Sequence, residues 1–256
     1  MAEGVITMNR ELMKKQVESY VDEYIRFMGI ENFPAYDLLF KEVSLSKSIS
    51  QGFEAPACAS YDTQTHKHTL CVATNLELMK HVVFHEFTHM LDSEKYVYGD
   101  KMRYLGLSGY TEYHASQIEL AQLLGAENFA NIPSFTMNTL VSTISGEKSV
   151  SQYIREKQEH AIELFSRNDF PASIEALKSS VGVLCNYWGL RSICEIYAAD
   201  FTETVNNSAF LEFIPTMHFS ALNQLMHGWL DIAKIDLSIP LYINIVCTLI
   251  RDYKLA

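Results

Sequence analysis

The sequence predicts an α+β fold, with a small sheet first and helices afterwards. Two β-compatible runs, ACASYD from Ala57 and HTLCVAT from His68, flank the polar connection TQTHK and read as a hairpin. Thr74 to Ser93 follows without Gly or Pro, its apolar residues at helical spacing. After Gly109 the apolar positions recur mostly in steps of three and four, so the sheet is expected to lie before Thr74 and the C-terminal region to be mainly α-helical.

The chain has 256 residues, the size of one large domain or of a domain with an appended subdomain. Hydrophobic residues at 48% and charged residues at 20% exclude a disordered chain. A formal net charge of -11 argues against nucleic acid as a partner, because neutralising phosphates needs a basic surface. No local basic patch offsets it, since Glu147 onward holds nine Lys/Arg against thirteen Asp/Glu. The first residues carry no signal-peptide core, and no unbroken apolar run reaches the roughly 18 residues of a membrane span. The nearest run, Leu237 to Ile250, is broken by Ser238, Pro240 and Asn244. Five cysteines without disulfide or zinc-ribbon spacing fit reduced thiols and a cytoplasmic location, with Cys58 and Cys71 facing each other across the hairpin.

Taken in order, Asn9 to Met28 is amphipathic, with Leu12, Met13, Val17, Tyr20, Val21, Tyr24 and Ile25 on one face, and Gly29 ends it. Phe33 to Phe40 reads as a short helix, and Val43 to Gly52 as a serine-rich loop or weak strand. In the hairpin, His66 and His68 are expected as exposed turn residues, and Ala57 to Tyr61 is a candidate sheet edge able to bind an extended peptide. Thr74 and Glu77 form a capping box that should start the next helix. Gly99, Gly106 and Gly109 mark Tyr96 to Gly109 as a reversing loop, after which a helix capped by Thr111 should run to Leu124 and stop at Gly125. Ser142 to Lys148 is the best boundary, dividing the chain into 1–145 and 146–256. Helices are expected over Val150–Arg167, Pro171–Trp188, Leu190–Phe201, Thr216–Ala233 and Pro240–Tyr253, with at most one strand of four or more residues after Gly146. His218 and His227 read as core or surface residues.

Chemistry concentrates in His85-Glu86-Phe87-Thr88-His89. Histidines four apart share a helical face and can converge on one cation, and zinc takes neutral imidazoles readily. Glu86, about 100° around the helix from His85, can lean toward a water that the metal activates and take its proton. The helix is apolar nearly all round except for the stripe His81, His85, Thr88, His89 and Asp92, so it is buried, and a metal would satisfy the two imidazoles there. A third protein ligand is needed, and Glu112, His114 and Glu119 are available. His114 lies about 200° around the helix from Glu112, so both should not face the metal. Glu119 shares Glu112's face two turns further on and could support a ligand instead. Asp92 could hydrogen-bond a ligand histidine, and Tyr110, Tyr113 and His114 are candidates for stabilising an oxyanion.

His85-Glu86-x-x-His89, twenty-two residues, then Glu112-Tyr113-His114-Ala115-Ser116 resembles the ImmA/IrrE-type metallopeptidases, over roughly Phe33 to Ala126. The sequence departs from their pattern at Ile118-Glu119, in the register of Leu123-Leu124, and at Gly125-Ala126, where they commonly carry a proline. Metzincins match less well, since Asp92 and Lys95 replace their glycine and third histidine. The resemblance implies a zincin-like, gluzincin-type core, with His85, His89 and Glu112 as zinc ligands and Glu86 as general base. It also implies a regulatory protease cutting a protein or peptide, such as a repressor of a phage or mobile element. Two rivals remain: a catalytically silent protein of the same fold that sequesters a partner, and a helical interaction module in which the motif is accidental.

Overall fold

The computed structural model describes residues 10–43, 56–202 and 207–255 and is mixed α+β, with a small sheet and a helical C-terminal region. Most of the expected Val43–Gly52 segment lies outside the described residues. Helix α1 (Arg10–Met28) ends at Gly29, whose φ of +61° favours glycine. Strand β1 (Tyr36–Lys41) occupies the stretch expected to be helical. Its alternating residues Tyr36, Leu38 and Phe40 pack on the core, a period of two that a short window cannot separate from half a helical turn.

The hairpin forms as expected, from β2 (Ala57–Asp62) and β3 (Lys67–Ala73). The strand order is β1-β3-β2, with β1 parallel and β2 antiparallel to β3. Pro56 O accepts from Ala73 N at 2.8 Å, so even-numbered β2 residues bond to β3. The backbone groups of Ala57, Ala59 and Tyr61 therefore face away from β3, on the side of β2 that pairs with no strand among the described residues, with Ala57 itself fully buried. His66 is exposed in the turn, but His68 belongs to β3 and is buried, its Nε2 3.1 Å from Glu94.

Helix α2 (Lys80–Tyr96) begins later than the capping box suggests. Thr74 instead extends β3, its N–H and hydroxyl both donating to Lys41 O, and the N-cap Met79 offers no side-chain bond. α2 rests on α1 through Tyr24, whose ring meets Phe84 and Phe87 edge-on at 5.1 and 5.4 Å and whose hydroxyl bonds Thr88 Oγ1 at 2.9 Å.

Helix α3 (Lys101–Leu123) overturns the expected loop at Tyr96–Gly109. Asp100 caps it, accepting from Met102 N and Arg103 N, so Glu112 lies mid-helix and Thr111 caps nothing. Gly106 and Gly109 are not turn residues. A Cβ at either would come within 2.5 Å of Ile239 or Tyr242, so both make room for α7 (Ile232–Asp252). A second small sheet, β4 (Leu140–Thr143) with β5 (Gly146–Ser149), lies outside the region to which strands were expected to be confined.

Helix α4 (Val150–Ser166) agrees with expectation, but α5 (Ile174–Tyr197) is a single helix where two were expected. Gly189 does not break it, because its missing Cβ lets the helix touch Tyr113 O of α3. α6 (Thr216–Leu225) is shorter than expected, and α7 starts eight residues early with Pro240 inside it. α7 is long and apolar enough to cross a membrane by length and composition, and it packs against α3 and α6. The larger hydrophobic cluster runs from Met13 on α1 to Leu249 on α7, a smaller one joins Val97, Leu107 and Tyr110 to Ile235 and Ile239 of α7, and α3 packs against α2, α5 and α7.

Candidate metal centre

The α2 face bearing His85, Glu86 and His89 turns toward α3, and their metal-binding atoms lie within 4.8 Å of one another. Glu112 of α3 enters between the histidines. Its Oε2 is 3.6 Å from His85 Nε2 and 3.7 Å from His89 Nε2. Ligand bonds of about 2.0–2.2 Å around a tetrahedral ion put neighbouring donor atoms roughly 3.3–3.5 Å apart, so this spacing suits the set.

The outer nitrogens are also held. His85 Nδ1 is 2.9 Å from Glu119 Oε2, and His89 Nδ1 is 2.9 Å from Thr111 Oγ1. Both contacts fit the tautomer that leaves Nε2 unprotonated and facing Glu112, the arrangement by which metal-ligating histidines are usually oriented. Tyr153 of α4 donates to the other oxygen of Glu119. Asn186 of α5 bonds Glu112 and accepts from Ser116 Oγ at 2.9 Å, and the Glu112 side chain lies against Gly182.

Three carboxylates and two imidazoles meet here under partial or full burial. Burial alone would lower the His85 pKa, but bonds to Glu112 and Glu119 outweigh it and carry it to about 10. Burial likewise opposes ionisation of Glu112, yet the two histidines pull its carboxyl well below the usual range. Glu119 is also held low, against burial, by Lys157, His85 and Tyr153. His89 lacks a carboxylate on its outer nitrogen, and burial pushes it down to about 4. The cluster thus attracts positive charge onto the His85–Glu112 pair, and a divalent cation offers that charge without a proton. The donor set of two imidazoles and one carboxylate fits zinc.

Glu86 is set apart from the other carboxylates. Its Oε2 accepts the Ala59 N–H of β2 at 2.6 Å. Burial raises its carboxyl to about 7, against the opposing pull of His85 and that N–H. The centre opens on a groove of about 1230 Å³, walled by β2, α2 and α3 on one side and by the β4–β5 tip, α4 and α5 on the other.

The sequence-predicted residues His85, Glu86, His89 and Glu112 come together, and Glu119 supports a histidine as anticipated. Other expectations are corrected. Asp92 holds no histidine of the motif; both its oxygens lie 3.0 Å from His114 Nδ1. The proposed oxyanion donors do not line the groove, for Tyr110 stacks on His114 and Tyr113 donates to Gly228 O at 2.6 Å. Sequence reasoning missed Thr111, whose position beside Glu112 was the available signal, and Asn186, Tyr153 and the Ala59 N–H, for which no local pattern exists. Comparison with protein-family models, with curated proteins and with solved structures finds no match to this chain.

Proposed function

We propose that this chain is a zinc metallopeptidase with a zincin-like core, in which His85, His89 and Glu112 hold the metal and Glu86 is the general base. The observation that carries this reading is the convergence of two Nε2 atoms on one Glu112 oxygen, with both outer nitrogens already engaged. When bound, zinc supplies Lewis-acid polarisation of the scissile carbonyl and acidifies the attacking water.

The chain's own groups supply the rest. Ala59 and Tyr61 border the groove on the side of β2 that pairs with no strand among the described residues, and although Glu86 holds the Ala59 N–H, the Ala59 carbonyl and the Tyr61 backbone can receive an extended peptide as another strand. Glu86, beside β2, takes the proton of the attacking water and hands it to the leaving amine. Its elevated pKa suits a group that must accept and then release a proton near neutrality. Glu119, Thr111 and Asn186 keep the imidazoles and Glu112 in place through these steps. The resemblance of the motif and spacing to ImmA/IrrE-type enzymes points to a protein substrate cut for regulation, such as a repressor.

The test compares wild type with Glu86→Gln for metal content and for cleavage of a mixed peptide pool. Both proteins should carry about one zinc per chain, and only the wild type should cut. Zinc without cleavage in either protein would favour the partner-sequestering reading. Failure to take up zinc would defeat the metal centre itself.

A further inference from the structure

The groove carries a cation on its far wall that the chemistry above does not use. Lys157 of α4 lines it, its ammonium 5.6 Å from the Tyr153 ring centroid. The other groove cations Lys148 and Arg167 are paired with Glu156 and Asp169, but among the described residues no carboxylate lies within ion-pair distance of Lys157. Glu119 feels its charge, yet both Glu119 oxygens are taken by His85 and Tyr153. Opposite is His81, one helical turn before His85 on α2. His81 is only 4% exposed and lines the same groove. A largely buried imidazole and a cation that no carboxylate pairs with directly among the described residues therefore border the same space, next to the metal centre.

We propose that Lys157 and His81 form a subsite for a carboxylate of the substrate, making acidic residues the preferred neighbours of the scissile bond. The proposal rests on the metallopeptidase reading above. A carboxylate here would accept a charge-assisted bond from the ammonium and a second bond from the imidazole N–H. Burial, against the pull of Glu119 and with help from Lys157 and His85, disfavours a proton on His81, leaving a neutral ring that still has one N–H to donate. The groove continues past Lys157 along α4 and α5 to Ser173 and Ala176. That continuation lets a chain run through, which favours an acidic side chain over a chain terminus as the source of the carboxylate.

Three peptide hydroxamates on one scaffold test this on zinc-loaded, full-length protein by calorimetric titration. One carries a glutamate next to the hydroxamate with an amidated C-terminus, the second a glutamine in its place, and the third that glutamine with a free C-terminal carboxylate. Wild type should bind the glutamate probe about tenfold more tightly than the glutamine amide, since the groove is partly open to solvent. Lys157→Gln should erase the preference, Lys157→Glu should reverse it, and Lys157→Arg should keep most of it. A gain confined to the third probe would support the carboxylate subsite but assign it to chain ends. Equal binding of all three by wild type, or a preference that survives in a folded Lys157→Gln, overturns the subsite and leaves the metal centre intact. If the protein takes up no zinc, or binds none of the hydroxamates, the metallopeptidase reading and the subsite fall together.

Discussion

At the scale of single residues, the centre depends on each imidazole presenting one nitrogen and anchoring the other. Glu112 brings one oxygen within 3.7 Å of both inner nitrogens, so Glu112→Ala should weaken zinc binding by about a hundredfold or more, measured by competition with a chromogenic chelator. Thr111→Val removes only the partner of His89 Nδ1, and the expected loss is about tenfold by the same assay. His114→Ala makes the contrast. It leaves Asp92, 1% exposed, without its histidine, so zinc should remain while unfolding free energy falls by about 3 kcal/mol in denaturant titrations. Loss of zinc from a folded His114→Ala protein would show that the ligand set has been assigned to the wrong face of α3.

Among the elements, three glycines explain where the sequence misled. Gly106, Gly109 and Gly189 all suggest chain reversal or a helix end when read locally, and all three lie inside long helices. Each is a place where another element comes too near for a side chain: Ile239, Tyr242 and the Tyr113 carbonyl. Such contacts join residues far apart in the sequence, so no local pattern could reveal them. The hairpin, α2, α4 and the His85–Glu86–His89 face were legible because period and motif are local properties. β1 was not, since six residues are too few to distinguish the two periods. Gly189→Ala drives a methyl into the α3 backbone, one residue beyond Glu112. It should destabilise the protein by about 3 kcal/mol and lower zinc affinity with it, whereas Gly109→Ala, which can displace the Tyr242 ring, should cost about 1–3 kcal/mol and spare the metal. Thermal melts followed by zinc titration of each variant check both effects.

In the whole molecule, α2 and α3 run antiparallel and the proposed ligands come from both, so a bound ion would cross-link them at the floor of the groove. Zinc in hundredfold excess over its dissociation constant adds about 2.7 kcal/mol to stability. For a chain of this size, stripping it with a chelator should lower the melting temperature by about 5–10 °C. The same treatment should leave Glu112→Ala unchanged; an equal drop there would mean that the chelator acts elsewhere. The motif residues and Glu112 on α2 and α3 were legible in sequence, whereas Thr111 on α3 and the supporting atoms of α4, α5 and β2 were not, because those partners are brought in by packing alone. That division has an evolutionary consequence. The proposed ligands and base belong to α2 and α3, while the wall bearing Lys157 belongs to α4 and α5. Descendants of this chain can therefore drift toward new targets by changing the α4–α5 wall outside Tyr153 and Asn186, with the proposed chemistry inherited intact.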